Sequence, residues 1–530
     1  MPTFYLDDQA IEFEPGEKII AAAKRAGIDI PHYCYHPALS VVATCRMCLV
    51  DIVDMGNGRP APKLMTSCST DAAEGMKILS QNEKVVEGRE LVMEFLLVNH
   101  PLDCPICDQA GECTLQDFSF EYGSGNSEME YSKRVYGWRD IGTFVTLERN
   151  RCIHCTRCDR FTREITGTNE FGVFNRGHQL TVDTFTDQPM TNKFQGNMAD
   201  ICPVGCITER EFRFKKRAWK LKKTNSICNR CSTGCNITVE EDKNKVFRFK
   251  PRENQEVNQW WMCDDGRISY RDYGKNKNRF LQPMGRVKGN LVKASWDQIF
   301  EALKSRIADL SPNPNEVVAL SDNFASNEEL FLLKKMLADV FDSDKIFFPL
   351  RAWSQHETAY PIDSLITTDK SPNRAGAIAL GLLGDEDDAK LKEALSETVK
   401  IAFILGNPFN EDNEILELLA KAELIVYIGT ENNHWTEKAD VLLPGQTHVE
   451  KEGTFTNKNS RVQRSNIAVK APKETKPEWM ILTELIQFMG KDADFHTSRA
   501  VFEAIGASND HFKGMTFDSV GDLGSLLTSI

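Results

Sequence analysis

Sixteen cysteines offer the most chemistry in this chain. They stand at positions 34, 45, 48, 68, 104, 107, 113, 152, 155, 158, 202, 206, 228, 231, 235 and 263, and the residues beyond contain none. Thiolates are soft ligands for iron–sulfur clusters and for zinc. Disulfide frameworks serve small secreted domains, whereas this chain has 530 residues and its opening Met-Pro-Thr-Phe-Tyr reads as no secretory signal. Cysteines grouped in C-x2-C pairs are therefore read as metal ligands.

Cys34, Cys45, Cys48 and Cys68 follow the pattern C-x10-C-x2-C-x19-C. Four thiolates on a small β-grasp-like unit suit a [2Fe–2S] cluster, with zinc as the alternative. Cys104, Cys107 and Cys113 are one ligand short of a cuboidal cluster, and His100 stands four residues before Cys104. His100 is the expected fourth ligand of a [4Fe–4S] cluster, and a neutral imidazole there would alter the cluster's potential. Cys152, Cys155 and Cys158 open like the bacterial ferredoxin run, but Thr162 occupies the position of the next cysteine. Cys202, followed by Pro203, supplies the fourth ligand of one [4Fe–4S] cluster. Cys206 is left over as a buried thiol, or replaces Cys202. Cys228, Cys231, Cys235 and Cys263 form C-x2-C-x3-C-x27-C, which fits a further [4Fe–4S] cluster with zinc competing. Fifteen cysteines and His100 then supply four clusters of four ligands, and several clusters in one chain make an electron relay.

The elements that must position these ligands change character along the chain. Residues 3–13 read as a hairpin turning at Asp7-Asp8, and Glu17–Ala26 as an amphipathic helix stopped by Gly27. Residues 79–120 read as helical and ending in a cysteine loop, and 121–150 as a polar linker or exposed loop. The basic run 210–223 reads as a solvated helix face, with docking of an acidic sister subunit as its other use. Beyond about residue 290, Val317–Leu320, Ala377–Leu380, Ile401–Leu405 and Leu424–Ile428 read as continuous apolar strands. Ser326 with Glu329 makes a capping box, and Glu414–Ala422 is helical. Alternating strands and helices predict an α/β domain with a mostly parallel sheet.

Composition narrows the function. With 64 Lys+Arg against 77 Asp+Glu the net charge is −13, which disfavours nucleic-acid binding. A hydrophobic share of 41% supports packed cores, and no apolar run reaches the roughly 18 residues of a membrane span. There is no Walker sequence. Gly56–Ala61 matches G-x-G-x-x-A but contains Pro60, so it reads as a hairpin turn and nicotinamide and flavin are expected on another subunit.

Together the four sets closely resemble the large iron–sulfur subunit, the G type, of bacterial respiratory complex I. The resemblance is strong over residues 1–280. It implies the ligand sets given above, with Cys202 as the ligand and the position of Cys206 not one, and it places the Cys228 set off the main electron path. The C-terminal half is similar to a molybdopterin-oxidoreductase domain through Ala439–Pro444, Glu450–Asn457 and Arg461-Val462-Gln463. That half is short and free of cysteine, so no molybdopterin is expected. The fold class is thus α+β iron–sulfur modules (β-grasp [2Fe–2S], helical His/Cys3 [4Fe–4S], ferredoxin-like [4Fe–4S]) followed by a shortened α/β molybdopterin-oxidoreductase-like domain. The expected divisions are 1–78, 79–120, 121–223, 224–280 and 281–530. The resemblance implies one [2Fe–2S] and three [4Fe–4S] clusters. It also implies an NADH/FMN flavoprotein, a two-cluster ferredoxin-like subunit and quinone-site subunits as partners, with no nucleic acid and no membrane insertion. The expected location is peripheral, on the cytoplasmic side of the bacterial inner membrane. An electron-relay subunit of a soluble NAD-linked hydrogenase or formate dehydrogenase is the alternative, and a zinc-held scaffold is the reading without redox chemistry.

Overall fold

The computed structural model describes residues 1–130, 132–185, 188–273, 278–322, 324–348, 361–382, 387–407 and 413–528. Two compact units emerge, Met1–Leu221 with Ala359–Asp363, and Lys222–Thr358 with Ser364–Ile530. Among the described residues no helix is long and apolar enough to cross a membrane.

The first unit begins with the expected hairpin. Thr3–Leu6 pairs antiparallel with Gln9–Glu12, and Asp7 and Asp8 both take positive φ, as a two-residue turn matched to strand twist requires. Met76–Leu79 runs parallel beside Thr3–Leu6, then Leu49–Met55 and Met65–Thr66 complete a five-stranded sheet. Helix Ile19–Arg25 covers it, packing Ile19 and Ile20 into a core with Phe4, Leu6, Val50 and Ile78. Gly56–Ala61 lies in the connection after Leu49–Met55, where Met55 N–H donates to Arg59 O at 2.8 Å. Helix Glu83–Leu97 starts at Asn82, whose side chain accepts from Val85 N–H, and Thr114–Tyr122 is a second helix.

Two readings of this unit are corrected. Residues 121–150 are not only linker: Trp138–Asp140 and Val145–Glu148 join Ile207–Glu209 in a three-stranded sheet, with Val145 and Leu147 fully buried. The apolar pair is too brief to announce itself within a polar stretch. The basic run 210–223 is not a helix face. It leaves strand Ile207–Glu209, makes one short 3-10 turn at Ala218–Lys220 and enters strand Lys222–Ile227. Within it, Arg217 donates to Cys107 O at 2.5 Å.

The second unit carries the α/β sheet. Val317–Ser321, Ile401–Leu405, Leu424–Gly429 and Val441–Pro444 are parallel neighbours, and Ile346–Phe347 lies on the far side of Val317–Ser321. Strand order therefore reverses between Val317–Ser321 and Ile401–Leu405. Continuous apolar strands fit because both faces are covered: Phe403 and Val426 pack with Leu333 and Ile481, while Ile404 and Tyr427 pack with Leu320 and Trp435. The Ser326 capping box forms, with Ser326 N–H donating to Glu329 at 2.9 Å. The helix expected over Glu414–Ala422 is observed as Asn413–Leu419. Ala377–Leu380 is not a strand: Arg374–Ala379 is a helix. Four apolar residues do not distinguish the two periods, and an alanine-rich run favours the helix. Gly376 allows its close packing, since a Cβ there would lie 2.0 Å from Asn327 Oδ1.

Glu328, in the first turn of helix Asn327–Phe341, is wholly buried and accepts from Thr454 N–H at 2.9 Å. Burial pushes its carboxyl from 4.5 up to about 7. Folding thus favours the protonated form, and that stabilisation is complete below about pH 4.5 and is lost as pH rises through 7. Unfolding free energies of the Glu328→Gln chain, from urea titrations, should fall less between pH 5 and 8 than those of the parent, by on the order of 1–3 kcal/mol. Parallel pH profiles would contradict this.

Candidate metal centres

The first unit gathers three of the four ligand sets. Cys34, Cys45 and Cys48 lie in the long loop after helix Ile19–Arg25, and Cys68 follows strand Met65–Thr66. All four are buried. Cys34 N–H donates to Cys45 Sγ at 3.4 Å, the Cys34 sulfur bonds those of Cys45 and Cys68, and Cys68 also meets Cys48. Ala43 and Arg46 adopt left-handed backbone around Cys45.

His100 lies just beyond helix Glu83–Leu97, and its N–H donates to Leu97 O at 3.1 Å. Its Nδ1 is buried without a hydrogen-bond partner, and burial lowers the imidazole pKa to about 4. It is therefore a neutral ring with an unspent nitrogen. Cys113 occupies the N-cap position of helix Thr114–Tyr122, yet its side chain makes no cap bond, which leaves the sulfur available. Burial pushes its thiol up to about 11. Cys104 is half-buried and Cys107 buried. The Cys107 sulfur packs so tightly on Gly205 that a Cβ there would lie 2.4 Å away.

Cys152 ends the turn Arg149–Arg151, Cys158 lies in the short helix Arg157–Arg160, and Cys202 ends helix Gly196–Ile201. His154 N–H donates to Cys152 Sγ at 3.3 Å, and His154 and Thr156 both take left-handed backbone around Cys155. Cys202 interacts electrostatically with Cys155 and Cys158. Burial raises the Cys155 thiol to about 12. Thr162, where a ferredoxin would carry its next cysteine, is fully buried and donates to Asp159 O at 3.1 Å. Cys206 is no distant leftover: its buried sulfur bonds those of Cys152 and Cys202.

The second unit holds the remaining set. Cys228, Cys231 and Cys235 lie in the loop joining antiparallel strands Lys222–Ile227 and Asn236–Asp242, where Cys228 N–H donates to Cys235 O at 2.8 Å. Cys263 caps helix Asp264–Ile268, its sulfur accepting from Gly266 N–H at 3.4 Å. A Cβ on Gly266 would meet the sulfurs of both Cys228 and Cys263, at 3.0 and 3.5 Å. Burial raises the Cys263 thiol to about 12 and pushes those of Cys228 and Cys235 up as well.

These sets share one electrostatic property. All sixteen thiols are free, and burial opposes ionisation in each of the three four-sulfur groups. Buried thiolates become tolerable only beside positive metal charge. The donor chemistry fits iron–sulfur clusters, as does the orphaned His100 nitrogen. Among the described residues no three His, Cys, Asp or Glu side chains converge as one bare metal ion needs. A cluster spreads its ligands over several irons. Sequence reasoning missed Gly205 and Gly266, whose bare Cα atoms admit the sulfurs. It also missed Arg157 and Arg160, whose i, i+3 spacing around Cys158 was the available signal.

Five family models match along the chain. They are a 2Fe-2S iron-sulfur cluster binding domain over 1–83, an NADH-ubiquinone oxidoreductase-G iron-sulfur binding region over 89–128, and the ferredoxin-like domain of NADH-quinone oxidoreductase subunit 3 over 142–208. A molybdopterin oxidoreductase Fe4S4 domain follows over 221–272, and molybdopterin oxidoreductase over 279–348 and 354–488. The G-subunit of the NADH-quinone oxidoreductase of Rickettsia bellii (strain RML369-C) is 40% identical over 335 residues, 63% of this chain and 48% of the relative. The NADH-ubiquinone oxidoreductase 75 kDa subunit of Reclinomonas americana is 35% identical over 347 residues, 66% of this chain and 49% of the relative. The chain spans about half the length of the curated relatives it matches. A solved NAD+-reducing [NiFe]-hydrogenase chain is 28% identical, with 41% of this chain and 90% of that one covered and a TM-score of 0.36. The cluster-binding regions match in the order in which the ligand sets occur, and over the matched residues the chain is similar to the G-subunits of NADH–quinone oxidoreductases.

Proposed function

We propose that this chain is an electron-relay subunit of a respiratory NADH:quinone oxidoreductase. In this reading Cys34, Cys45, Cys48 and Cys68 hold a [2Fe–2S] cluster. His100, Cys104, Cys107 and Cys113 hold a [4Fe–4S] cluster, as do Cys152, Cys155, Cys158 and Cys202, and Cys228, Cys231, Cys235 and Cys263. When bound, the clusters supply one-electron transfer, and the chain's residues hold them in place, keep water away and set their potentials.

The observation that carries the reading is physical continuity between the sets of the first unit. Arg160 donates to both Cys34 O and Cys155 O, at 2.6 and 3.1 Å. The turn Cys202–Cys206 leaves the third set and presses Gly205 onto the Cys107 sulfur of the second. Thr114, next to Cys113, donates to Pro203 O at 3.2 Å. In this reading the electron order is two-iron set, ferredoxin-like set, His/Cys3 set. Electrons would enter from an NADH/FMN flavoprotein and leave toward a ferredoxin-like subunit and quinone, with the chain peripheral on the cytoplasmic side of the inner membrane. The Cys228 set and the α/β domain make up the second unit.

The α/β domain is read as holding no molybdopterin. Open parallel sheets bind ligands where strand order reverses. That crevice holds a cavity of about 410 Å3, and its backbone amides are already taken: Asn407 and Phe324 N–H donate to Asp322 at 3.0 and 2.9 Å. A fixed carboxylate there repels the phosphates of a dinucleotide. Nearby Lys451 is held by Glu329 and Glu478, at 2.6 and 2.7 Å.

Two experiments test this reading. With the isolated, cluster-loaded chain, dithionite should reduce the clusters and NADH should not, until the flavoprotein subunit is added; rapid reduction by NADH alone would contradict the assignment. Gly205→Ala should cost the His/Cys3 set its cluster, about four irons per chain. Retention of every iron would contradict the placement of Cys107.

A further inference from the structure

Arg157 and Arg160 belong to the short helix that carries Cys158, and both reach into the loop that carries Cys34. Arg160 is 1% exposed. Its guanidinium donates to Ser40 O at 2.5 Å, Cys34 O at 2.6 Å and Cys155 O at 3.1 Å, and its Nε donates to Thr156 O at 3.3 Å. Arg157 donates to Tyr35 O at 2.5 Å and Ile201 O at 3.0 Å, spanning the residues beside Cys34 and Cys202. It also interacts electrostatically with Cys155, Cys202 and Cys34. Neither arginine has a carboxylate ion-pair partner among the described residues; their hydrogen bonds go to carbonyl oxygens and, from Arg160, to the Thr156 hydroxyl.

Asp159 and Glu164 act on Arg160 only electrostatically, without a hydrogen bond, and a buried guanidinium bonded mainly to carbonyls is costly unless further negative charge lies close. Four thiolates around an iron–sulfur core make a net anion, and reduction makes it more negative. Two such centres flank these arginines on the relay reading. We propose that Arg157 and Arg160 are positioning residues that act as a shared counter-charge between the two-iron and ferredoxin-like clusters. They hold the two ligand loops together through backbone carbonyls and raise both reduction potentials. Lysine cannot reproduce the planar fork that places Nη1 on Ser40 O and Nη2 on Cys34 O and Cys155 O, but it keeps the charge. Glutamine keeps a donor and removes the charge.

This inference rests on the relay reading, and one set of redox titrations separates the two. The full chain is loaded anaerobically with iron and sulfide, and each cluster is titrated by its EPR signal in the parent, Arg160→Gln and Arg160→Lys. In the Gln variant the two-iron and ferredoxin-like clusters should lose about tenfold in reduced-to-oxidised ratio at fixed potential, about 59 mV for one electron. The His/Cys3 cluster should stay at its parental value, and the Lys variant should recover most of the shift. Unchanged potentials in a Gln variant with full iron, or equal shifts in every cluster, would overturn the proposal. If the Gln variant loses iron, the Lys variant decides: potentials near the parent support the shared charge, and potentials that fall in only one cluster overturn it. A parent chain that takes up no clusters would overturn the relay reading itself, and this inference with it.

Discussion

Burying many thiolates in one protein is an electrostatic problem before it is a folding problem. Each of the four-sulfur groups is largely withdrawn from water, and burial drives Cys155 and Cys263 to about 12. Without added positive charge such thiols stay protonated. With iron they ionise, and binding energy becomes folding energy for the loops that carry them. The rest of the design follows: left-handed backbone at Arg46, His154 and Thr156 curls the loops around their sulfurs. Gly205 and Gly266 stand where the sulfurs of Cys107, Cys228 and Cys263 crowd the main chain, and Arg157 and Arg160 bring cations whose hydrogen bonds go to no carboxylate.

The grouping of the cysteines was legible because it is local. Spacing within C-x2-C pairs, and the shortfall of one ligand beside His100, can be read without knowing the fold. The opening hairpin was legible for the same reason, since Asp7-Asp8 can take the positive φ that a two-residue turn demands. The parallel strands announced themselves by continuous apolar runs that helices on both faces must cover.

What stayed hidden depends on residues far apart in sequence. Nothing near Gly205 says that Cys107 will press against it, and nothing near Cys206 says that its sulfur will meet Cys152. Strand Val145–Glu148 was obscured because its partner, Ile207–Glu209, lies some sixty residues away. Ala377–Leu380 was misread because four small apolar residues suit either period, and the deciding contact, Gly376 against Asn327, is long-range. The basic run was misread because charge density was taken for a helical surface, whereas Arg217 spends its donors on the carbonyls of the cysteine loop.

The central claim is that the buried thiols, with His100, hold four iron–sulfur clusters and that the α/β domain holds no metal. Iron, zinc, molybdenum and acid-labile sulfide, measured per chain on anaerobically prepared protein, test it most directly. One two-iron and three four-iron clusters predict about 14 irons, as many sulfides, and neither zinc nor molybdenum. Stoichiometric molybdenum, or zinc in place of iron without labile sulfide, would contradict the account.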